Sequence, residues 1–200
     1  MIVRGTVAVL ALAMAAAQLQ GCVGAAVGAG ATVATAASEE RGLVGAARDT
    51  ATRAEINTLW LDHSEEMLRR LNLDVVEGRV LVTGIVPTTQ MRLDAIRLAW
   101  QANGVREVIN EIKVSDKGGI SAYARDSWVT AELKARLLFD KKVQSINYSV
   151  ETVDGTVYLM GIAQNRDELD RVQSYARTLA YVKQVVSYVR MKGDPRRGAT

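Results

Sequence analysis

Glu77-Gly78-Arg79-Val80-Leu81-Val82-Thr83-Gly84 returns, 77 residues further on, as Asp154-Gly155-Thr156-Val157-Tyr158-Leu159-Met160-Gly161. An acidic-Gly pair between apolar runs reads as a β-hairpin turn, because the tight turn needs residues that tolerate positive φ. At the same offset, Asp49-Thr50 meets Asp126-Ser127 and Ala54-Glu55-Ile56 meets Ala131-Glu132-Leu133. Val105, Val108 and Ile112 meet Val182, Val185 and Val189. Residues 49–114 and 126–191 are therefore two ungapped copies of one unit. A position shared by the copies reports the fold, and a divergent one can report what one copy does alone.

Each unit reads helix, strand, strand, helix, strand. Thr52, Ile56 and Trp60 recur at helical spacing, answered by Val129, Leu133 and Leu137. Leu71, Leu73 and Val75 alternate before the turn, and Val80 and Val82 after it. Met91, Ala95, Leu98, Ala99 and Ala102 share one face of the second helix. Asn103-Gly104 closes that helix, with Gly104 suited to a left-handed cap. The last strand alternates as Val108, Asn110, Ile112, Val114 and as Val185, Ser187, Val189, Met191. A strand–helix–strand crossover makes it parallel to its neighbour. The expected fold is α+β: two tandem αββαβ domains, each a small mixed sheet covered by two helices. Asp126 or Ser127 is expected to cap the first helix of the second unit. Gly84 and Gly161 end the second strands, where a close backbone approach or positive φ is expected.

The rest of the chain has another character. Met1 to Ala17 is a short n-region with Arg4 and then an apolar run of Ala, Val and Leu, too short to span a bilayer comfortably. It reads as a signal peptide over residues 1–21. Its end, Leu19-Gln20-Gly21-Cys22, resembles the lipobox of bacterial lipoproteins. That resemblance implies lipidation of Cys22, cleavage before it, and, with Val23 following, release to the outer membrane. Residues 22–48, mostly Gly, Ala, Ser and Thr after the cysteine, read as a flexible tether. Residues 115–125, with Gly118-Gly119, read as a linker, and 192–200 as a frayed basic tail.

Composition excludes several classes. With one cysteine and one histidine, a disulfide framework within the chain is ruled out and an all-protein Cys/His metal site is not expected. Net charge is +3 without a Lys/Arg run, so no nucleic-acid footprint is present. No nucleophile elbow, phosphate loop or zinc motif points to catalysis or a cofactor. His63 sits near a helix end with Asp62, Glu65 and Glu66, a solvated polar patch rather than a ligand set. Glu55 and Glu132 recur near helix starts, where they favour the macrodipole.

The αββαβ unit resembles the BON domain, a small periplasmic module. The resemblance rests on the two stretches that end in Gly84 and Gly161, and on Gly104-Val105-Arg106-Glu107-Val108-Ile109-Asn110, which fits the family's Gly-Val-x-x-Val-x-Asn pattern. The second copy departs there, with Tyr181 for the glycine and Ser187 for the asparagine. A lipobox ahead of two such units resembles the dual-BON outer-membrane lipoproteins. That implies a non-catalytic protein facing the periplasm, which binds anionic phospholipid through its second domain and supports envelope integrity. Trp128 falls where that type has a tryptophan on its lipid-contacting helix.

Divergence between the copies supplies a separate line of argument. On a helical wheel over 128–140, Val129, Leu133 and Leu137 form the core stripe, while Trp128, Ala131, Ala135, Leu138 and Phe139 gather roughly opposite. One sheet needs only one apolar stripe, so the second requires a partner. The first copy is weaker there, with Ala51, Ala54, Thr58, Leu61 and Asp62. Lys134 flanks the stripe, and Lys141 and Lys142 follow the helix, a combination suited to an anionic membrane surface. The first copy has its own surplus stripe, Leu93, Ile96 and Trp100, where the second has Asp170, Gln173 and Arg177. Two readings stay open. The stripes contact lipid or an envelope protein, such as outer-membrane assembly machinery, or they pack together as an interdomain or homodimer seam.

Overall fold

The computed structural model describes residues 39–115 and 120–197. Cys22, the signal peptide and most of the tether lie outside the described residues. Domain 1 runs α1 (Gly42–His63), α2 (Glu65–Arg70), β1 (Leu71–Val76), β2 (Arg79–Val86), α3 (Thr89–Ala99) and β3 (Glu107–Val114). Domain 2 runs α4 (Ile120–Phe139), a 3-10 turn (Ser145–Asn147), β4 (Tyr148–Val153), β5 (Thr156–Ala163), α5 (Arg166–Arg177) and β6 (Gln184–Met191). Each domain has a three-stranded sheet with the hairpin strand in the middle. Its hairpin partner is antiparallel and the strand after the crossover is parallel. The pairing registers are the same in both domains, Leu71 opposite Gly84 in one and Tyr148 opposite Gly161 in the other.

The helical stripes read from sequence form the cores. Ile56 and Trp60 pack with Leu73, Val80, Val82, Ala95 and Ile112. Val129, Leu133 and Leu137 pack with Val150, Val157, Leu159 and Val172. Trp60 is fully buried, and its indole N–H donates to the Ala95 carbonyl at 3.0 Å, which satisfies its only polar atom. Gly84 and Gly161 have φ of +134° and +142°, and a Cβ there would lie 2.3 Å from the Arg70 carbonyl and 2.0 Å from that of Asn147. Both the positive φ and the close approach expected of them are therefore present.

Several boundaries differ from the expectation. α1 begins at Gly42, inside the stretch read as tether, and buries Ala46. α4 begins at Ile120, inside the stretch read as linker, so Asp126 and Ser127 lie within a helix and cap nothing. α2 has no counterpart in the sequence reading; the Ser64 hydroxyl caps it by accepting from Met67 N–H at 3.3 Å. The tail is also held, since the Arg197 guanidinium reaches Glu77 at 3.0 Å.

The larger difference concerns the far faces of the sheets. Val76, Leu81 and Ile109 of domain 1 pack against Val153, Tyr158, Met160 and Ile162 of domain 2. The domains are joined sheet to sheet, with helices on the outside. Polar bonds ring this seam: Arg79 Nη1 to the Tyr188 carbonyl at 2.8 Å, Lys113 Nζ to the Val153 carbonyl at 3.1 Å, and Ser149 Oγ to Asp74 at 3.0 Å. The surplus stripes take no part in the seam.

Candidate functional site

The site is built on α4. Its core stripe is turned inward, with Val129 and Leu133 fully buried, which fixes the rotation of the helix. The second stripe then faces outward: Trp128 is 46% exposed, Leu138 68% and Phe139 82%. Ala131 is exposed and Ala135 half-buried between them. At about 1.5 Å per residue the stripe runs about 16 Å from Trp128 to Phe139. The early start of α4 lengthens it, because Ala124 lies one turn before Trp128 on the same face and is exposed.

Cations border the stripe. Lys134 is exposed and sits 3.9 Å from Glu151. Lys141 and Lys142 occupy the turn after the helix and form no side-chain ion pair among the described residues. The turn is pinned by Asp140, which accepts from the Lys142 N–H at 2.9 Å and from the Tyr175 hydroxyl at 2.7 Å. Those two hydrogen bonds, the backbone one first, hold the Asp140 carboxyl below the usual range.

Two contributors were missed from sequence. The Tyr181 ring meets Trp128 edge-on, with centroids 5.9 Å apart, and the Arg125 guanidinium lies 5.9 Å from the Tyr181 centroid. Tyr181 stands at φ +70°, in the place where domain 1 has Gly104 at +84°. A bulky residue held in the left-handed region is strained. The departure from glycine was visible in the sequence; its contact with Trp128 was not, because 53 residues separate them.

Other expectations are revised. Glu55 does not serve the start of α1. It accepts from the Asn103 backbone N–H at 3.0 Å and side-chain N–H at 2.9 Å. Glu132 pairs with Arg136 at 2.9 Å. His63 needs no revision: it is exposed at the end of α1, 3.7 Å from Asp94. Leu93 on α3 and Trp100 at its C-cap are more than half exposed and Ile96 partly so, so the two stripes do not pack together within the chain. Among the described residues, no helix is long and apolar enough to cross a membrane.

The sequence model of the BON domain matches residues 48–116 and again 125–193. The chain belongs to the BON-domain family. An uncharacterized protein of the gshII 5′ region of Anaplasma centrale is 43% identical over 145 residues, 72% of this chain and 95% of that one. The outer membrane lipoprotein DolP of Haemophilus influenzae is 31% identical, over 84% of this chain and 87% of its own. Osmotically-inducible protein Y of Escherichia coli is 30% identical, over 72% and 73%. The alignment with DolP, 169 residues long, reaches into both BON domains of this chain.

Proposed function

We propose that this BON-domain protein is a non-catalytic periplasmic lipoprotein. In this reading Cys22 anchors it in the outer membrane, and the outer stripe of α4 binds anionic phospholipid in support of membrane integrity. The carrying observation is that the Trp128 stripe remains exposed although the two domains are already joined through other surfaces. An amphipathic aromatic is suited to headgroup depth, and each lysine near an anionic surface contributes about 1 kcal/mol. Affinity of that size is useful where an anchor already keeps the protein at a membrane. The similarity to a protein named as an outer membrane lipoprotein supports the location.

Trp128→Glu tests the contact. Liposome co-sedimentation with anionic and with neutral lipid should show binding that depends on anionic lipid and is lost in the variant. Because Trp128 is half exposed, stability should change by no more than about 0.5 kcal/mol. Unchanged lipid binding, or no preference for anionic lipid, contradicts the reading. The anchor has its own test: intact-mass spectrometry in the native host should find Cys22 acylated, and Cys22→Ser should accumulate as unlipidated precursor.

A second reading draws on the exposed stripe of domain 1. Leu93 and Trp100 offer an apolar surface that the lipid contact on α4 leaves unused, and this favours an adaptor that docks an envelope protein. Liposome binding indifferent to headgroup would move the balance toward it.

A further inference from the structure

Domain 1 carries an open groove of about 620 Å³ beside the first half of α1, with Arg48, Ala51, Gly104 and Arg106 on its wall. Shifted by 77 residues, these four become Arg125, Trp128, Tyr181 and Lys183. Equivalent bonds hold the two sets alike: Asp49 and Asp126 tie the helices to the two hairpin turns, and the Arg106 and Lys183 N–H groups both donate at 2.8 Å, to the Gly78 and Gly155 carbonyls. In domain 2 the chain supplies its own rings there: Trp128 and Tyr181 meet edge-on, and Arg125 lies over Tyr181. Domain 1 keeps the cation as Arg48 and lacks both rings.

Charge departs in the same direction. In domain 2, Lys183 pairs with Asp154 at 2.8 Å. The counterpart of Asp154 is Glu77, and Arg197 of the tail takes it at 3.0 Å. Neither the Arg106 nor the Arg48 side chain then has an ion pair or hydrogen bond among the described residues; the Arg106 backbone N–H donates to the Gly78 carbonyl at 2.8 Å. The acids of the groove are engaged elsewhere. Asp49 accepts from Arg41 at 2.8 Å and from the Glu77 and Gly78 N–H groups, and Glu55 is bonded to Asn103.

The geometry points to a second binding site, on domain 1, for an acidic segment of a partner protein that presents one aromatic side chain. The ring enters the space left by Ala51 and Gly104, Arg48 lies against its face as Arg125 does against Tyr181, and a neighbouring carboxylate pairs with Arg106. A second copy of this chain fits less well. Its exposed rings have cations beside them, Arg125 and Lys134 among those of domain 2 and Arg97 one turn before Trp100, which would meet Arg48 and Arg106 with like charge. The site goes beyond the lipid reading and does not depend on it.

The test uses the full-length protein and blocked tripeptides, followed by amide chemical shifts in NMR. Acetyl-Asp-Trp-Asp-amide should bind saturably, shifting Gly78 and Gly104. It should bind about fivefold or more tightly than the Leu-centred peptide, from the lost ring–cation contact, and also than acetyl-Lys-Trp-Lys-amide. Ala51→Trp, which fills the groove as domain 2 fills its own, should abolish the shifts. Should that variant fail to fold, Arg48→Ala with Arg106→Ala, both exposed, should weaken binding to a similar degree. Trp128→Glu should leave peptide binding unchanged, which separates this site from the lipid surface. Equal binding of the Trp and Leu peptides, shifts centred on Trp128 and Tyr181, or self-association that Ala51→Trp removes would each overturn the proposal.

Discussion

Tyr181 shows what one side chain contributes against the preference of its own backbone. At φ +70° it occupies a conformation that Gly104 adopts freely in domain 1, and a residue with a Cβ loses about 1–2 kcal/mol there. In return it places a ring on Trp128 and a face under Arg125, an aromatic pair of about 0.5–1.5 kcal/mol. The two effects nearly cancel in stability, so the ring serves the surface rather than the fold. Tyr181→Gly should therefore leave the free energy of unfolding within about 1 kcal/mol of the parent. Liposome binding should weaken at the same time. Urea unfolding measured beside co-sedimentation checks both, and a variant that binds as well as the parent removes Tyr181 from the lipid surface.

At the scale of the element, both first helices brace their hairpins through one carboxylate. Asp126 accepts from the Asp154 and Gly155 N–H groups at 2.7 and 2.9 Å. Asp49 does the same for Glu77 and Gly78 at 2.8 and 2.9 Å. The turn amides cannot pair within the hairpin, so an acid on the helix locks the sheet against α1 or α4. Asp126→Ala should cost about 1–2 kcal/mol, read as a lower urea midpoint with an unchanged slope. Asp49→Ala should cost more, because Asp49 is buried and also holds Arg41. Equal effects of the two would show that burial adds nothing to the brace.

At the scale of the molecule, the seam brings two carboxylates together. Asp74 on β1 is bonded by Arg53 at 3.0 Å and by Ser149. Among the described residues, Glu151 on β4 has a single ion-pair partner, Lys134 at 3.9 Å. Burial, and then the nearby Asp74 charge, push the Glu151 carboxyl above its usual range, with Lys134 and Arg53 opposing. The folded chain therefore holds this proton to higher pH than the unfolded chain does, so stability falls as pH rises from the ordinary glutamate range through the raised value. Glu151→Gln removes the effect. The variant should gain on the parent in thermal melts across that window, and show no such gain at lower pH, where both carry a neutral side chain. Losing the exposed Lys134 pair costs little. A difference that does not vary with pH would show that Glu151 stays ionised throughout.

The sequence by itself determined the repeat, the αββαβ order, both core stripes and the presence of a surplus apolar stripe on the first helix of the second unit. Those are period signals, carried within ten or twenty residues by the geometry of helix and strand. Glycines at 84 and 161 were equally readable, since only close approach or positive φ calls for a residue without a side chain there. The starts of α1 and α4 were not, because small residues and a glycine pair signal a tether unless tertiary packing recruits them, as it does Ala46. The sheet-to-sheet seam was half visible. Val80-Leu81-Val82 and Val157-Tyr158-Leu159-Met160 are continuous apolar runs, the mark of strands buried on both faces, yet nothing local states what covers the second face. Only the tertiary structure decided that the covering is the other domain's sheet. With the sheets covering one another, the stripes on α3 and α4 face outward, and residues as distant in the chain as Trp128 and Tyr181 meet on one surface.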